Sequence, residues 1–174
     1  MNRFQFLRTL IAVGAVATAV GCKTAPKPAK PEAATITLEL DSSLSRVDVD
    51  LVGMNPAQRG QWNSKSMTEY WGDSDKLRSG VHKKTVTLTK DTPNFTLEAK
   101  DPIWQQWLKE DAAAELVVLA DLPDMATKDD REGAADPRRR ILSLNPKESP
   151  GGKGKYRVTV KRAGLEVGSD QAPK

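Results

Sequence analysis

Hydrophobic and polar residues alternate with a period of two along most of the chain after residue 35. Alternation of this kind is typical of a strand with one buried face. It occurs at residues 36–40, 47–51, 86–88, 95–97, 142–144, 156–160 and 165–167. The run 115–120 is almost continuously apolar, as expected of a central strand covered on both faces. About eight short strands separated by turn residues indicate an all-β fold, a two-sheet β-sandwich.

Two segments depart from the strand period. Asp101 and Pro102 suit the start of a helix, and apolar residues follow at helical spacing, so we predict a short helix over 102–110. Its tryptophans, Trp104 and Trp107, lie on one side and are expected to pack in the core. Residues 66–77 are less regular and are predicted to contain another helical turn. The sandwich therefore carries one or two short helical insertions.

The N-terminus has the pattern of a secretory signal. Arg3 and Arg8 precede an uncharged apolar stretch, 10–20, that ends at Gly21 and Cys22. This stretch is about half the length that a membrane-spanning helix needs. Residues 19–22 resemble the lipobox that precedes a lipid-modified cysteine, so we predict a covalent lipid on Cys22 and no other cofactor. An ordinary secretory peptide that leaves a free thiol is the weaker alternative.

These patterns divide the chain into four parts. Residues 1–21 are predicted to be the signal peptide, 22–34 a lipidated cysteine with a Pro/Lys/Ala tether, 35–168 the sandwich and 169–174 a tail. The prolines of the tether favour an extended conformation of about 3.1 Å per residue. The formal charge is +4, and loss of the two arginines of the signal reduces it to +2. No clustered basic stripe appears, so no nucleic-acid partner is predicted.

No catalytic group of residues can be assembled from the sequence. His82 is the only histidine and Cys22 the only cysteine, which argues against nucleophilic catalysis, and no small-molecule substrate is expected. Carboxylates are concentrated at Asp121, Asp124, Asp129, Asp130, Glu132 and Asp136. Their spacing does not match a calcium-binding loop, so a charged loop is the preferred interpretation and no metal site is predicted. A metal-dependent hydrolase remains the least favoured alternative.

Three aromatic residues are predicted to contact a partner, namely Trp62, Tyr70 and Trp71. Trp62 lies in a segment rich in Gly, Asn and Ser that is interpreted as a loop, and loops on a rigid sandwich commonly carry recognition. The alternative hypothesis is an envelope module that binds glycan or peptidoglycan through Trp62 or Trp71.

The order of these parts resembles one family. A lipobox and tether precede the first strands, helical insertions follow around 69–71 and at 102–110, and the strand that ends at 119–123 comes before the segment 137–144. In this order the chain resembles the TssJ lipoproteins of type VI secretion systems over most of residues 22–168.

The resemblance implies a transthyretin-like sandwich anchored in the outer membrane and facing the periplasm. It further implies a scaffold without catalytic activity that binds the periplasmic domain of an inner-membrane TssM-like protein. In that family the loop between the first two strands carries much of the partner contact. Here the corresponding segment, 41–45, is short, and a longer segment, 53–65, comes one strand later.

Overall fold

Eight strands form the body of the protein in the computed structural model, which describes residues 30–122, 125 and 136–168. The strands are β1 (Thr35–Leu40), β2 (Arg46–Met54), β3 (Lys83–Thr89), β4 (Asn94–Leu97), β5 (Glu115–Ala120), β6 (Arg139–Ser143), β7 (Lys155–Lys161) and β8 (Gly164–Gly168). The predicted signal peptide, Cys22, most of the tether and the tail lie outside the described residues.

The strands make two four-stranded sheets, which confirms the predicted sandwich. One sheet has the order β4-β1-β7-β8, and the other has the order β3-β2-β5-β6. All pairings are antiparallel except that of β1 with β7, where Thr35 lies beside Lys155 and Leu40 beside Val160. We refer to the first sheet as sheet A and to the second as sheet B.

The helices lie in two insertions. Between β2 and β3 a 3-10 turn (Pro56–Gln58) is followed by α1 (Arg59–Ser64), α2 (Met67–Tyr70) and α3 (Lys76–Gly80). Between β4 and β5, α4 (Ile103–Gln105) continues as a π-helical turn (Gln106–Glu110), which confirms the helix predicted over 102–110.

The main core lies between the sheets and uses the alternating positions of the strands. Its fully buried members include Ile36, Leu38, Val49, Leu51, Leu97, Leu116, Val118, Val158 and Val160. Trp104 and Trp107 join this core, as predicted, with their rings edge to face at 5.1 Å. The backbone of Gly53 lies against Trp107, where a Cβ atom would come within 2.5 Å of Cγ. Gly53 therefore permits the close packing of the second insertion.

Candidate functional site

The insertion between β2 and β3 covers the outer face of sheet B. Val52 and Met54 from β2, with Val117 and Leu119 from β5, point away from the main core and meet the helices. Three side chains of the insertion complete this second apolar cluster, namely Trp62, Met67 and Tyr70. β2 and β5, the two central strands of sheet B, are thus covered on both faces. This explains why residues 115–120 are continuously apolar.

A buried carboxylate fixes the insertion to the sheet. Asp50 is fully buried, and its Oδ2 accepts hydrogen bonds from the Tyr70 hydroxyl at 3.0 Å and from Arg78 Nε at 2.9 Å. Its Oδ1 accepts from the Thr85 hydroxyl at 2.6 Å. Burial, together with the charge of Asp50, raises the pKa of Tyr70, so the hydroxyl remains a proton donor. The carboxylate therefore has a charged and two neutral donors, as a buried charge requires.

Trp71 carries this network toward the surface. The Arg78 guanidinium lies 4.4 Å from the centre of the Trp71 ring, and Tyr70 packs edge to face against that ring at 5.4 Å. The indole is partly exposed, whereas Tyr70 beneath it is fully buried. Arg78 thus joins the exposed aromatic ring to buried Asp50 through a cation–π contact and an ion pair.

A second buried charge holds the end of α1. Arg139 is fully buried and extends from β6 across the outer face of sheet B. Its Nη1 donates to the carbonyl of Trp62 at 2.6 Å and to that of Lys65 at 2.9 Å. The last carbonyls of a helix have no partner within the helix and carry partial negative charge, so a guanidinium is well suited to them.

The neighbouring arginines form local interactions. Arg138 forms a two-point ion pair with Asp136, from Nε to Oδ1 at 3.1 Å and from Nη2 to Oδ2 at 2.9 Å. Both side chains are buried. Arg140 lies on the other side of β6 from Arg139 and donates to nearby backbone carbonyls. The three arginines are structural elements of this edge of sheet B.

The prediction that Trp62 lies in a loop is wrong. Trp62 lies in α1, and its side chain is fully buried against Tyr70, with ring centres 5.8 Å apart. A partner could touch Trp62 or Tyr70 only if the insertion moved off the sheet. Among the three aromatic residues predicted to bind a partner, Trp71 is the one with exposed surface. No local sequence pattern indicates the structural roles of Asp50, Arg78 or Arg139, because their partners are distant along the chain.

The predicted acidic loop lies mostly outside the described residues. Asp121, which precedes it, is half-buried, and burial together with the nearby charge of Asp48 raises its pKa. Asp136, which follows it, is committed to Arg138. Among residues 30–122, 125 and 136–168, no three His, Cys, Asp or Glu side chains are arranged to hold a metal ion.

The end of the tether joins the domain at one end of the sandwich. The Glu32 N–H donates to the Leu144 carbonyl at 2.9 Å, and the Thr35 N–H donates to the Gly154 carbonyl at 2.9 Å. The turns after β1, β3 and β7 lie at the opposite end, where Ser43, Lys90 and Arg162 line one cavity of about 250 Å³. Because β1 runs from one end to the other, the chain enters opposite these turns.

Comparison with known structures identifies the fold. The chain is similar to a structure described as the C-terminal domain of the type VI secretion protein TssM from EAEC, with a TM-score of 0.50 and 13% identity. The similarity covers 77% of this chain and 98% of that chain. The described residues have a fold that is also found in a type VI secretion protein. The two-sheet sandwich that the family resemblance implied is the architecture of the described residues.

Two further structures are similar over most of their length. One is Serratia marcescens Lip, a membrane-bound component of the type VI secretion system, with 10% identity, 78% of this chain and 96% of that chain covered and a TM-score of 0.48. The other is the lipoprotein TssJ1 from Pseudomonas aeruginosa, with 13% identity, 82% and 99% coverage and a TM-score of 0.47. No protein-family model and no curated protein matches the chain.

The described helices are short. Within the part of the chain that the structure describes, none has the length and apolar character needed to cross a bilayer.

Proposed function

We propose that this protein is a scaffold lipoprotein of a type VI secretion membrane complex. In this proposal a lipid on Cys22 anchors it in the outer membrane, and the domain, in the periplasm, binds a TssM-like inner-membrane protein. The observation that carries the proposal is the combination of a lipobox and tether with a sandwich whose structural neighbour is itself a type VI secretion component.

The side-chain chemistry of the domain supports a binding role without catalysis. The buried charges around sheet B are each engaged in fixing secondary structure: Asp50 holds the helices, Arg139 holds the end of α1, and Arg138 is paired with Asp136. His82 is exposed, and its Nδ1 lies 3.1 Å from a carboxylate oxygen of Asp111. These groups stabilise the scaffold and leave recognition to its surface.

Binding to a TssM-like partner is tested by co-purification. The Cys22→Ser chain, which lacks the lipid, should co-purify with a tagged periplasmic fragment of the TssM-like protein. The dissociation constant should lie in the low micromolar range or below. Trp71→Ala should weaken this binding, because Trp71 is the partly exposed member of the three predicted contacts. No detectable binding of the Cys22→Ser chain at high micromolar concentration would argue strongly against this function.

The lipid anchor has its own test. Metabolic labelling with a palmitate analogue should mark the full-length protein and should fail in Cys22→Ser. Membrane fractionation of the two forms should then show the labelled protein in the outer membrane, with the Cys22→Ser form absent from that fraction. Labelling that survives the substitution would refute lipidation at Cys22.

One of the two tryptophans proposed for the alternative glycan-binding module is inaccessible. Stacking on a sugar requires an accessible aromatic face, and Trp62 is fully buried. One face of the remaining residue, Trp71, is occupied by Arg78. The fluorescence of the chain on titration with peptidoglycan fragments separates the two functions, because a saturable shift is expected only of the glycan-binding module.

A further inference from the structure

Sheet B ends at an open strand. β3 is the outermost strand on its side, pairs with β2 alone and runs for seven residues. An edge strand presents unpaired backbone N–H and C=O groups, to which another extended chain can bind. β3 is therefore a potential site of strand addition if its outer groups are free.

The register of the ladder identifies these outer groups. The Lys90 N–H donates to the Ser45 carbonyl, and residues of β3 and β2 alternate between bonded and non-bonded pairs from that point. Val86 and Leu88 consequently bond to β2, whereas the N–H and C=O of Thr85 and Thr87 face outward. Within the described residues, none of the backbone hydrogen bonds outside the sheets reaches Thr85 or Thr87.

The side chains leave this edge accessible. Thr85 and Thr87 are exposed, and their hydroxyls bond to carboxylates on the outer face of β2 rather than across the edge. No proline or glycine interrupts residues 83–89. Proline, a bulge or lysine commonly protects natural edge strands, and in β3 the lysines are confined to its start, so residues 85–89 form a regular edge.

The other described edges are shorter or partly closed. β4 has four residues and β6 and β8 have five each. On β8, the Leu165 N–H already donates outward to the Pro137 carbonyl. On β6, the Ser143 carbonyl accepts from the Tyr156 hydroxyl, and the Arg139 N–H donates to Asp136. β3 thus offers the longest uninterrupted edge of the described sandwich.

The charges that flank β3 indicate which kind of strand can bind there. Basic residues lie at both ends of the open segment, with Lys83 and Lys84 at the start and Lys90 just beyond the end. Lys83 Nζ donates to the Arg78 carbonyl at 2.7 Å and keeps its charge. Lys84 Nζ lies 3.4 Å from Asp101 Oδ2, a contact that a carboxylate of the added strand would share. Antiparallel pairing of β3 with a second copy of itself would bring Lys84 close to Lys90 of the other copy, and such like charges are destabilising. An extended segment with acidic residues at its ends meets complementary charge instead.

We propose that β3 binds an extended segment of another protein by strand addition, with Thr85 and Thr87 as the bonding residues. The segment adds a fifth strand to sheet B, has alternating β-branched residues in its centre and carries carboxylates at its ends. This surface is independent of the lipid anchor and of the identity of the partner in a secretion complex.

The test uses the full chain carrying Cys22→Ser and a capped synthetic peptide as long as β3, with alternating valine and threonine between terminal glutamates. Backbone amide NMR at millimolar peptide should show saturable shifts at Thr85 and Thr87. New protection from hydrogen exchange should appear at these two amides, because Val86 and Leu88 are already bonded to β2. A peptide with lysine in place of glutamate should bind roughly fivefold more weakly or not at all.

The matched variants are Thr87→Pro and Thr87→Ala. Both lose the hydroxyl bond to Asp48, but only proline removes the outward N–H. Thr87→Pro should weaken peptide binding by roughly fivefold or more, the equivalent of one backbone hydrogen bond, whereas Thr87→Ala should bind as the parent does. Equal binding by Thr87→Pro, or protection at residues outside β3, would overturn the proposal. If the proline variant does not fold, the exchange pattern of the parent decides by itself.

Discussion

Replacing Tyr70 by phenylalanine removes one hydroxyl group from a site that is closed to water. That hydroxyl donates to Asp50 at 3.0 Å, and both residues are fully buried. A hydrogen bond to a charged group contributes about 1.5–3 kcal/mol, more than a bond between neutral groups. Tyr70→Phe should therefore lower the free energy of unfolding by about 2 kcal/mol while the apolar packing of the ring is kept.

The control is Tyr156→Phe, which removes a bond to a neutral acceptor, the Ser143 carbonyl. It should cost about 1 kcal/mol. Urea unfolding at neutral pH, followed by tryptophan fluorescence and by circular dichroism, measures both variants. Combining Tyr70→Phe with Asp50→Asn in a double-mutant cycle should give a coupling energy above about 1 kcal/mol, since the two residues share the bond.

The pH dependence provides a second check. The pKa of Tyr70 is raised in the folded state above its usual value of 10.0, so the unfolded state loses this proton first as pH increases. The stability that the protonated hydroxyl contributes is therefore complete below about pH 10 and is lost above it. The difference between the parent and Tyr70→Phe should be constant at neutral pH and shrink above about pH 10. A difference below about 0.5 kcal/mol at neutral pH would refute the role assigned to Asp50.

Three further substitutions probe separate features. Gly53→Ala should lower the melting temperature, because the new Cβ would overlap Trp107, and overpacking costs about 1–3 kcal/mol. Arg139→Met should destabilise by about 2–4 kcal/mol in urea unfolding, since buried carbonyls at the end of α1 lose their donor. Asp121→Asn should raise the free energy of unfolding at neutral pH. The pKa of Asp121 is raised in the folded state, so its ionisation destabilises the fold as pH rises from about 4, and the stabilisation by Asn should vanish in acid.

The strands could be predicted because their two-residue period reflects burial on one face. The period fails where both faces are covered. In β2 the alternation of Val47, Val49 and Leu51 gives way to continuous burial through Met54, since the helical insertion covers the outer face. Asp50 looked from its position like an exposed polar residue and is buried for the same reason. A local pattern cannot report a layer that is supplied by another part of the chain.

The site was harder to predict than the fold. Gly60, Asn63 and Ser64 have low helix propensity, so the segment around Trp62 looked like a loop. Tertiary contacts override that propensity, because burial of the indole and the bonds from Arg139 stabilise α1. Trp62 and Arg139 are far apart in the sequence, and nothing in the local pattern of either residue indicates the other.

The entry of the tether at the start of β1 has a mechanical consequence. Tension on the N-terminus first loads the single bond from the Glu32 N–H to the Leu144 carbonyl and then reaches β1 at Thr35. β1 is an inner strand of sheet A, held by β4 on one side and β7 on the other. Its hydrogen bonds to both neighbours run across the direction of pull, so they are loaded together in shear rather than broken one at a time. Resistance to such a pull depends on the unfolding rate rather than on equilibrium stability. A pull on the far end of β8 would instead peel an edge strand, so the N-terminal end of the described domain is its mechanically stronger end.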